Sequence, residues 1–210
     1  MEETIIQILA RELERPEQHV RNIIALLDEG NTVPFIARYR KELHGGMDDQ
    51  LIRQLAERLQ YLRNLQQRRD EVRQSIENQG KLTDELSAAI DAAATLAEVE
   101  DLYRPYKQKR RTRATMAKEK GLEPLALLLF AQERDCPEPL AEAAKYIDPE
   151  KGVETAEDAL RGASDIVAEQ ISDDADIRKA LRELYWKKAR LVSVAAAKEP
   201  ADTVYRLYYE

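Results

Sequence analysis

Apolar residues recur three, four and seven positions apart over most of the chain, the spacing that places them on one face of an α-helix. The clearest run is Leu51, Leu55, Leu59, Leu62, Leu65, Val72 and Ile76, which predicts one long helix near residues 48–79. Asp48 or Asp49 can accept from its first free amides, and Gly80 can end it. Three short helices are expected before it. The first carries Ile5, Ile8, Leu9 and Leu13 behind Thr4 as N-cap and stops near Arg15; the second opens at Pro16 and carries Val20, Ile23, Ile24 and Leu27 up to Gly30. The third is VPFIARYRKE, with Phe35, Ile36 and Tyr39 inward as core and Arg38, Arg40 and Lys41 toward the rim. Such a trio is either a helix-turn-helix unit or a plain helical packing unit.

Beyond the long helix, Thr83 starts a short helix, and Thr95 with Glu98 has capping-box spacing ahead of Val99 and Leu102. One helical stretch is expected from Ala114 to Ala131, with Pro124 as a local irregularity, and a short one from Leu140 to Tyr146. Thr155 and Asp158 then precede Ala159, Ala163, Ile166 and Val167. Ser172 can cap a partner helix with Ile177, Leu181, Leu184, Tyr185 and Leu191, so the two read as an antiparallel pair. The last segment, DTVYRLYYE, alternates like a strand without a partner. The fold class is therefore all-α, with a possible orphan strand at the C-terminus. Its expected sub-units are 1–45 (helix-turn-helix-like), 46–134 (long helix plus basic loop) and 135–210 (helical pair).

Composition supports helices: 7 Gly, 2 Phe and 1 Trp in 210 residues leave little for a strand-and-turn architecture. Cys136 has no cysteine to pair with, and with only His19 and His44 beside it no zinc site can be assembled; a reducing compartment fits. The acidic, amphipathic start is unlike a signal peptide, and no apolar run approaches the roughly 20 residues that span a bilayer. A cytoplasmic protein without membrane partners is expected.

The net charge of −7 argues against a general polyanion binder until its distribution is considered. Between Arg104 and Lys120 eight basic residues face one acidic residue, whereas between Asp148 and Glu183 eleven acidic residues face five basic ones. The stretch RPYKQKRRTR has no apolar periodicity to bury it. Its Arg104, Lys107, Lys109, Arg110, Arg111 and Arg113 can neutralise phosphates, while Tyr103 and Tyr106 can stack on bases. The alternative is that these cations bridge to acidic surfaces of the protein itself. Arg38, Arg40 and Lys41 form a second candidate contact, and the arginines along the long helix read as a solvated face. For catalysis there is no Gly-rich phosphate loop, no HExxH and no activated serine. Glu98, Glu100 and Asp101 read as a helix-surface carboxylate cluster, and His19 and His44 as surface or capping residues. No enzyme, cofactor or metal is expected.

Four longer stretches, NTVPFIARYRKELHGGMDD, QGKLTDEL, EVEDLYRPYKQKRRTRATMAKEKGLEPLA and ALRGASDIVAEQIS, resemble the N-terminal region of the bacterial Tex transcription accessory proteins. The resemblance covers nearly the whole chain. It implies a larger parent in which this helical region precedes an RNase H-like domain, helix-hairpin-helix elements and an oligonucleotide-binding OB-fold, none of them within these 210 residues. It also implies a link to transcription, DNA or RNA binding, and docking on the parent's other domains or the transcription machinery. The sequence departs from the family pattern at Val33, His44, Arg104 and Gln108, and the loss of proline at 108 leaves that loop less rigid.

Overall fold

The computed structural model describes residues 2–107, 110–133 and 136–193, together with Val204 and Leu207. It is all-α: twelve α-helices and no strand occur among the described residues, apart from an isolated bridge between Asp148 and Val153. The C-terminal strand expected over 202–210 lies outside the described residues but for those two positions. The chain forms two compact units, Met1–Tyr106 and Lys107–Glu210.

In the first unit, α1 (Glu2–Leu13), α2 (Glu17–Asp28) and α3 (Val33–Tyr39) pack on the N-terminal half of α5 (Asp49–Glu77), and α4 (Lys41–His44) packs against α2 and α3. Ile6, Leu9, Val20, Ile23, Ile36, Ile52 and Leu55 are buried there. The C-terminal half of α5 buries Leu65, Val72 and Ile76 against Ile90 of α6 (Asp84–Ala92) and Val99 of α7 (Leu96–Tyr103). At 29 residues α5 runs about 44 Å, so one rod carries both cores. Asp48 accepts from the Leu51 amide at 2.8 Å and fixes its start. The Thr95–Glu98 capping box closes reciprocally, as its spacing predicts.

The second unit contains α8 (Arg113–Glu119), α9 (Glu123–Ala131), α10 (Pro139–Ala143), α11 (Ala156–Asp173) and α12 (Ala175–Lys188). Ala114, Ala117, Leu122, Leu125, Ala159, Ala163 and Ile166 are buried between them. The approach of α11 to α8 and α9 is close because of Gly162. A Cβ there would sit 2.3 Å from Leu122 Cδ1 and 3.4 Å from Ala117 Cβ.

Several expectations are corrected. Thr4 lies inside α1, which already begins at Glu2. The single helix expected over 114–131 is two, because Gly121 adopts φ +83° and turns the chain. Ser172 is inside α11; the cap of α12 is Asp174, whose side chain accepts from the Ile177 amide at 2.8 Å. No residue of α12 is buried, so α11 and α12 are not the packed pair expected from their stripes. His44 is no surface or capping residue. It is 1% exposed, and neither ring nitrogen has a hydrogen-bond partner. Asp101 is buried rather than part of a surface cluster, while Glu98 serves the capping box and Glu100 holds Arg68.

Candidate nucleic-acid interface

The rim of the first unit is built by a short helix with one deep anchor. Extended Thr32 and Pro34 start α3, and Ile36 is fully buried. Val33, Phe35 and Ala37 are half-buried around it, which leaves Pro34, Arg38 and Tyr39 exposed. The helix breaks at Arg40 (φ −129°, ψ 35°) and α4 follows at once. Arg38 and Lys41 are exposed and border an open pocket with Pro34, Ala37 and Asp49. Arg40 is half-buried; its guanidinium lies 5.1 Å from the Phe35 ring centroid and donates to the Tyr39 carbonyl at 3.2 Å. Among the described residues Arg38, Arg40 and Lys41 form no ion pair. Two of the acids close to them in sequence are occupied, Asp48 as the α5 cap and Asp49 by Arg53 at 3.2 Å, while Glu42 is exposed.

Tyr39 departs from the core role its spacing suggests. It is 58% exposed, because α3 ends at that residue and the packed face has already been used by Ile36. Its ring meets Phe35 at 5.3 Å and 46°.

The arginines of α5 have a different fate. Arg58 grips Glu12 of α1 through two bonds of 2.7 and 2.8 Å, and Arg63 grips Asp28 of α2 at 2.6 and 2.8 Å with Glu2 at 3.5 Å. Arg68 donates to Glu100 of α7 at 2.6 Å and to Glu71 at 2.9 Å, and lies over the Tyr103 ring. Arg73 reaches Asp91 of α6 and Asp70, and Arg69 donates to the Ala93 carbonyl at 2.8 Å. The hydrogen bond from Arg58 holds the Glu12 carboxyl below its ordinary range, and that from Arg63 does the same for Asp28. The expected solvated face is therefore a set of clamps from α5 to its neighbours. A phosphate arriving there would have to displace carboxylates already in bidentate contact.

The basic segment divides between the two units. Tyr106, in the first, is half-buried against the second core of α5, and its carbonyl accepts from Gln79 at 3.0 Å. Tyr103 is likewise half-buried, its hydroxyl 2.9 Å from Ser75 Oγ. Arg104 and Lys107 are exposed, and each has an interaction within the protein. Lys109 and Gln108 lie outside the described residues. In the second unit Arg111 pairs with Glu119 at 2.6 Å, Lys118 with Glu123 at 2.9 Å, and Lys120 donates to the Gly152 carbonyl at 2.8 Å. Arg110 and Arg113 are exposed and form no ion pair among the described residues. Arg113 borders a groove that also holds Arg161, Glu154, Asp158 and Asp165, so opposite charge is already present there.

Two family models match the chain: the Tex-like protein N-terminal domain over residues 3–77, and a Tex central region-like model over residues 135–210. The Escherichia coli (strain K12) protein YhgF is 49% identical over 212 residues, covering 100% of this chain and 27% of that protein. Transcriptional accessory protein Tex of Neisseria gonorrhoeae is 46% identical over 208 residues, covering 98% and 27%. The chain belongs to the Tex family.

A human relative, S1 RNA-binding domain-containing protein 1, is 32% identical over 202 residues, covering 95% of this chain and 20% of its own. This Tex-family chain thus spans about a quarter of the length of its bacterial relatives. The family resemblance drawn from the four sequence stretches is confirmed. No helix among the described residues is long and apolar enough to cross a membrane.

In this Tex segment, sequence reasoning set Arg38, Arg40 and Lys41 toward the rim, where Arg38 and Lys41 are exposed and Arg40 is half-buried, but missed that Tyr39 is exposed there too. The available signal was the position of Tyr39 next to Arg40, where the helical stripe runs out.

Proposed function

We propose that this chain is a non-catalytic, nucleic-acid-binding helical module of a transcription accessory protein, working in the cytoplasm as part of a longer protein. The observation that carries the reading is the partition of its cations. Arg58, Arg63, Arg68 and Arg73 of α5 are committed to carboxylates, whereas Arg38, Arg40 and Lys41 on the α3–α4 rim stand without ion pairs among the described residues. A cation without an ion pair neutralises a phosphate and releases its counterion without first giving up a carboxylate, although Arg40 also donates to the Tyr39 carbonyl. Arg110 and Arg113 supply a second contact, and the remaining basic-segment residues Arg104, Lys107, Lys109, Arg111 and Tyr106 contribute less because most are already engaged. The names of the Neisseria gonorrhoeae and human relatives, a transcriptional accessory protein and an RNA-binding-domain protein, agree with this assignment. Ultraviolet crosslinking of the chain to RNA and DNA oligonucleotides, followed by peptide mapping, tests it. Crosslinks should fall within residues 33–44 and 110–113; a map confined to α5 or α11 contradicts it.

One observation favours a second reading, a scaffold that docks the parent's other domains or the transcription machinery. α12 exposes Leu181, Leu184 and Tyr185, with Trp186 92% exposed, and an apolar stripe left open on one helix is a protein-binding feature. Replacing Leu181 and Leu184 by serine should then abolish association with the rest of the parent while leaving oligonucleotide crosslinking intact.

A further inference from the structure

The α3 rim offers an aromatic surface as well as charge. Phe35 and Tyr39 are four residues apart and stack along one face of the helix, at 5.3 Å and 46°. Arg40 covers Phe35 from 5.1 Å, while Tyr39, at the end of the array, is 58% exposed. Covering an exposed ring removes apolar area from water and so favours a ligand that stacks on it. Here the ring is pre-ordered by its neighbour, Arg38 and Arg40 adjoin it in sequence, and Arg38 and Lys41 border the pocket on the α3–α4 rim, so a ligand that stacks on it has phosphate-binding groups on the same short segment.

A duplex cannot use this ring, because its base faces are already occupied by stacking and only phosphates and groove edges are offered. The helix is also poorly equipped to read a groove. Recognition helices present hydrogen-bonding side chains from their N-terminal residues, and the first three residues of α3 are Val33, Pro34 and Phe35. All three cations sit at or beyond its C-terminal end. Resting on the nucleic-acid reading above, we infer that Tyr39 is a base-stacking platform and that the α3–α4 rim takes an unpaired base of single-stranded nucleic acid, with Arg38, Arg40 and Lys41 on the flanking phosphates.

The test is fluorescence anisotropy of the 210-residue chain with a labelled single-stranded oligouridylate and with a duplex carrying the same number of phosphates. Tyr39→Ala should weaken single-strand binding roughly 5- to 150-fold, the usual worth of one stacked base, and leave duplex binding unchanged. Tyr39→Phe keeps the ring and should retain wild-type affinity. Because Tyr39 is exposed, neither change should alter the helical content, which circular dichroism verifies. Equal loss on both ligands, or full single-strand affinity in Tyr39→Ala, overturns the stacking role. The Arg38→Ala/Arg40→Ala/Lys41→Ala variant separates the two levels of the argument. If it loses affinity while Tyr39→Ala does not, stacking alone is wrong; if it too binds like wild type, the underlying nucleic-acid reading fails with it.

Discussion

Replacing Gly45 by alanine should destabilise the first unit far more than the same change at Gly46. Both glycines lie in the left-handed region, at φ +61° and +78°, where a Cβ costs about 1–2 kcal/mol. Their surroundings differ. A Cβ on Gly46 meets nothing within 4 Å, whereas one on Gly45 would sit 2.2 Å from both Cε1 and Nδ1 of His19 and 3.0 Å from Nε2. The imidazole is half-buried and belongs to α2, so it must leave its present rotamer, at a further cost of about 0.5–1.5 kcal/mol. The reduced freedom of the unfolded alanine chain returns about 0.4–1 kcal/mol in both variants. Gly46→Ala is thus expected to cost about 1 kcal/mol or less, and Gly45→Ala about 1 kcal/mol more. Urea unfolding read by hydrogen exchange of the α5 amides measures this unit specifically. In a His19→Ala background the extra cost of Gly45→Ala should vanish, appearing as a coupling of about 1 kcal/mol in the double-mutant cycle. Equal costs at 45 and 46, or strict additivity with His19→Ala, would refute the steric argument.

Two further outcomes follow from the packing and the ion pairs. Gly162→Ala should cost about 1–3 kcal/mol in thermal unfolding of the second unit, because Leu122, 1% exposed, has no room to swing its methyl away; a neutral result would mean that α11 sits farther from α8 and α9. Glu12 and Asp28 have carboxyls held below their ordinary values of 4.5 and 3.8 by hydrogen bonds from Arg58 and Arg63. A depressed carboxyl stabilises the fold above its unfolded value and loses that contribution as pH falls through the folded one. The stability gap between wild type and the Arg58→Gln/Arg63→Gln variant should therefore narrow on acidification below the carboxylate range, and a gap that widens there would contradict the clamp.

What could be read from the chain was local chemistry and strong periodicity. The stripe from Leu51 to Ile76 placed α5 because seven apolar residues keep one face over its length, and Asp48, Thr83, Thr95 and Thr155 cap helices because capping needs only a side chain and an amide a few residues ahead. Where two caps compete, as Ser172 and Asp174 do, the choice depends on how far α11 extends before its buried face ends at Ile166. Pro124 is the irregularity expected between Ala114 and Ala131, but the break falls at Gly121, whose turn accompanies the packing of Leu122 into the core of the second unit. His44 could not be placed inside from sequence, since its burial depends on how α4 sits against α2 and α3. The fate of the arginines was hidden for the same reason: Arg58, Arg63 and Arg68 find acids 46, 35 and 32 positions away. Sequence spacing shows which residues share a helix face, but not which carboxylate another helix brings to them.

The partition of cations is tested most directly by the salt dependence of oligonucleotide affinity. Each phosphate contact contributes about 0.7–0.9 to the slope of log affinity against log salt, so Arg38→Ala/Arg40→Ala/Lys41→Ala should lower that slope by roughly 2–3, while Arg58→Gln/Arg63→Gln leaves it as in wild type. A slope that responds to Arg58 and Arg63 but not to the rim would show that the ion-paired arginines, and not the unpaired ones, meet the phosphates.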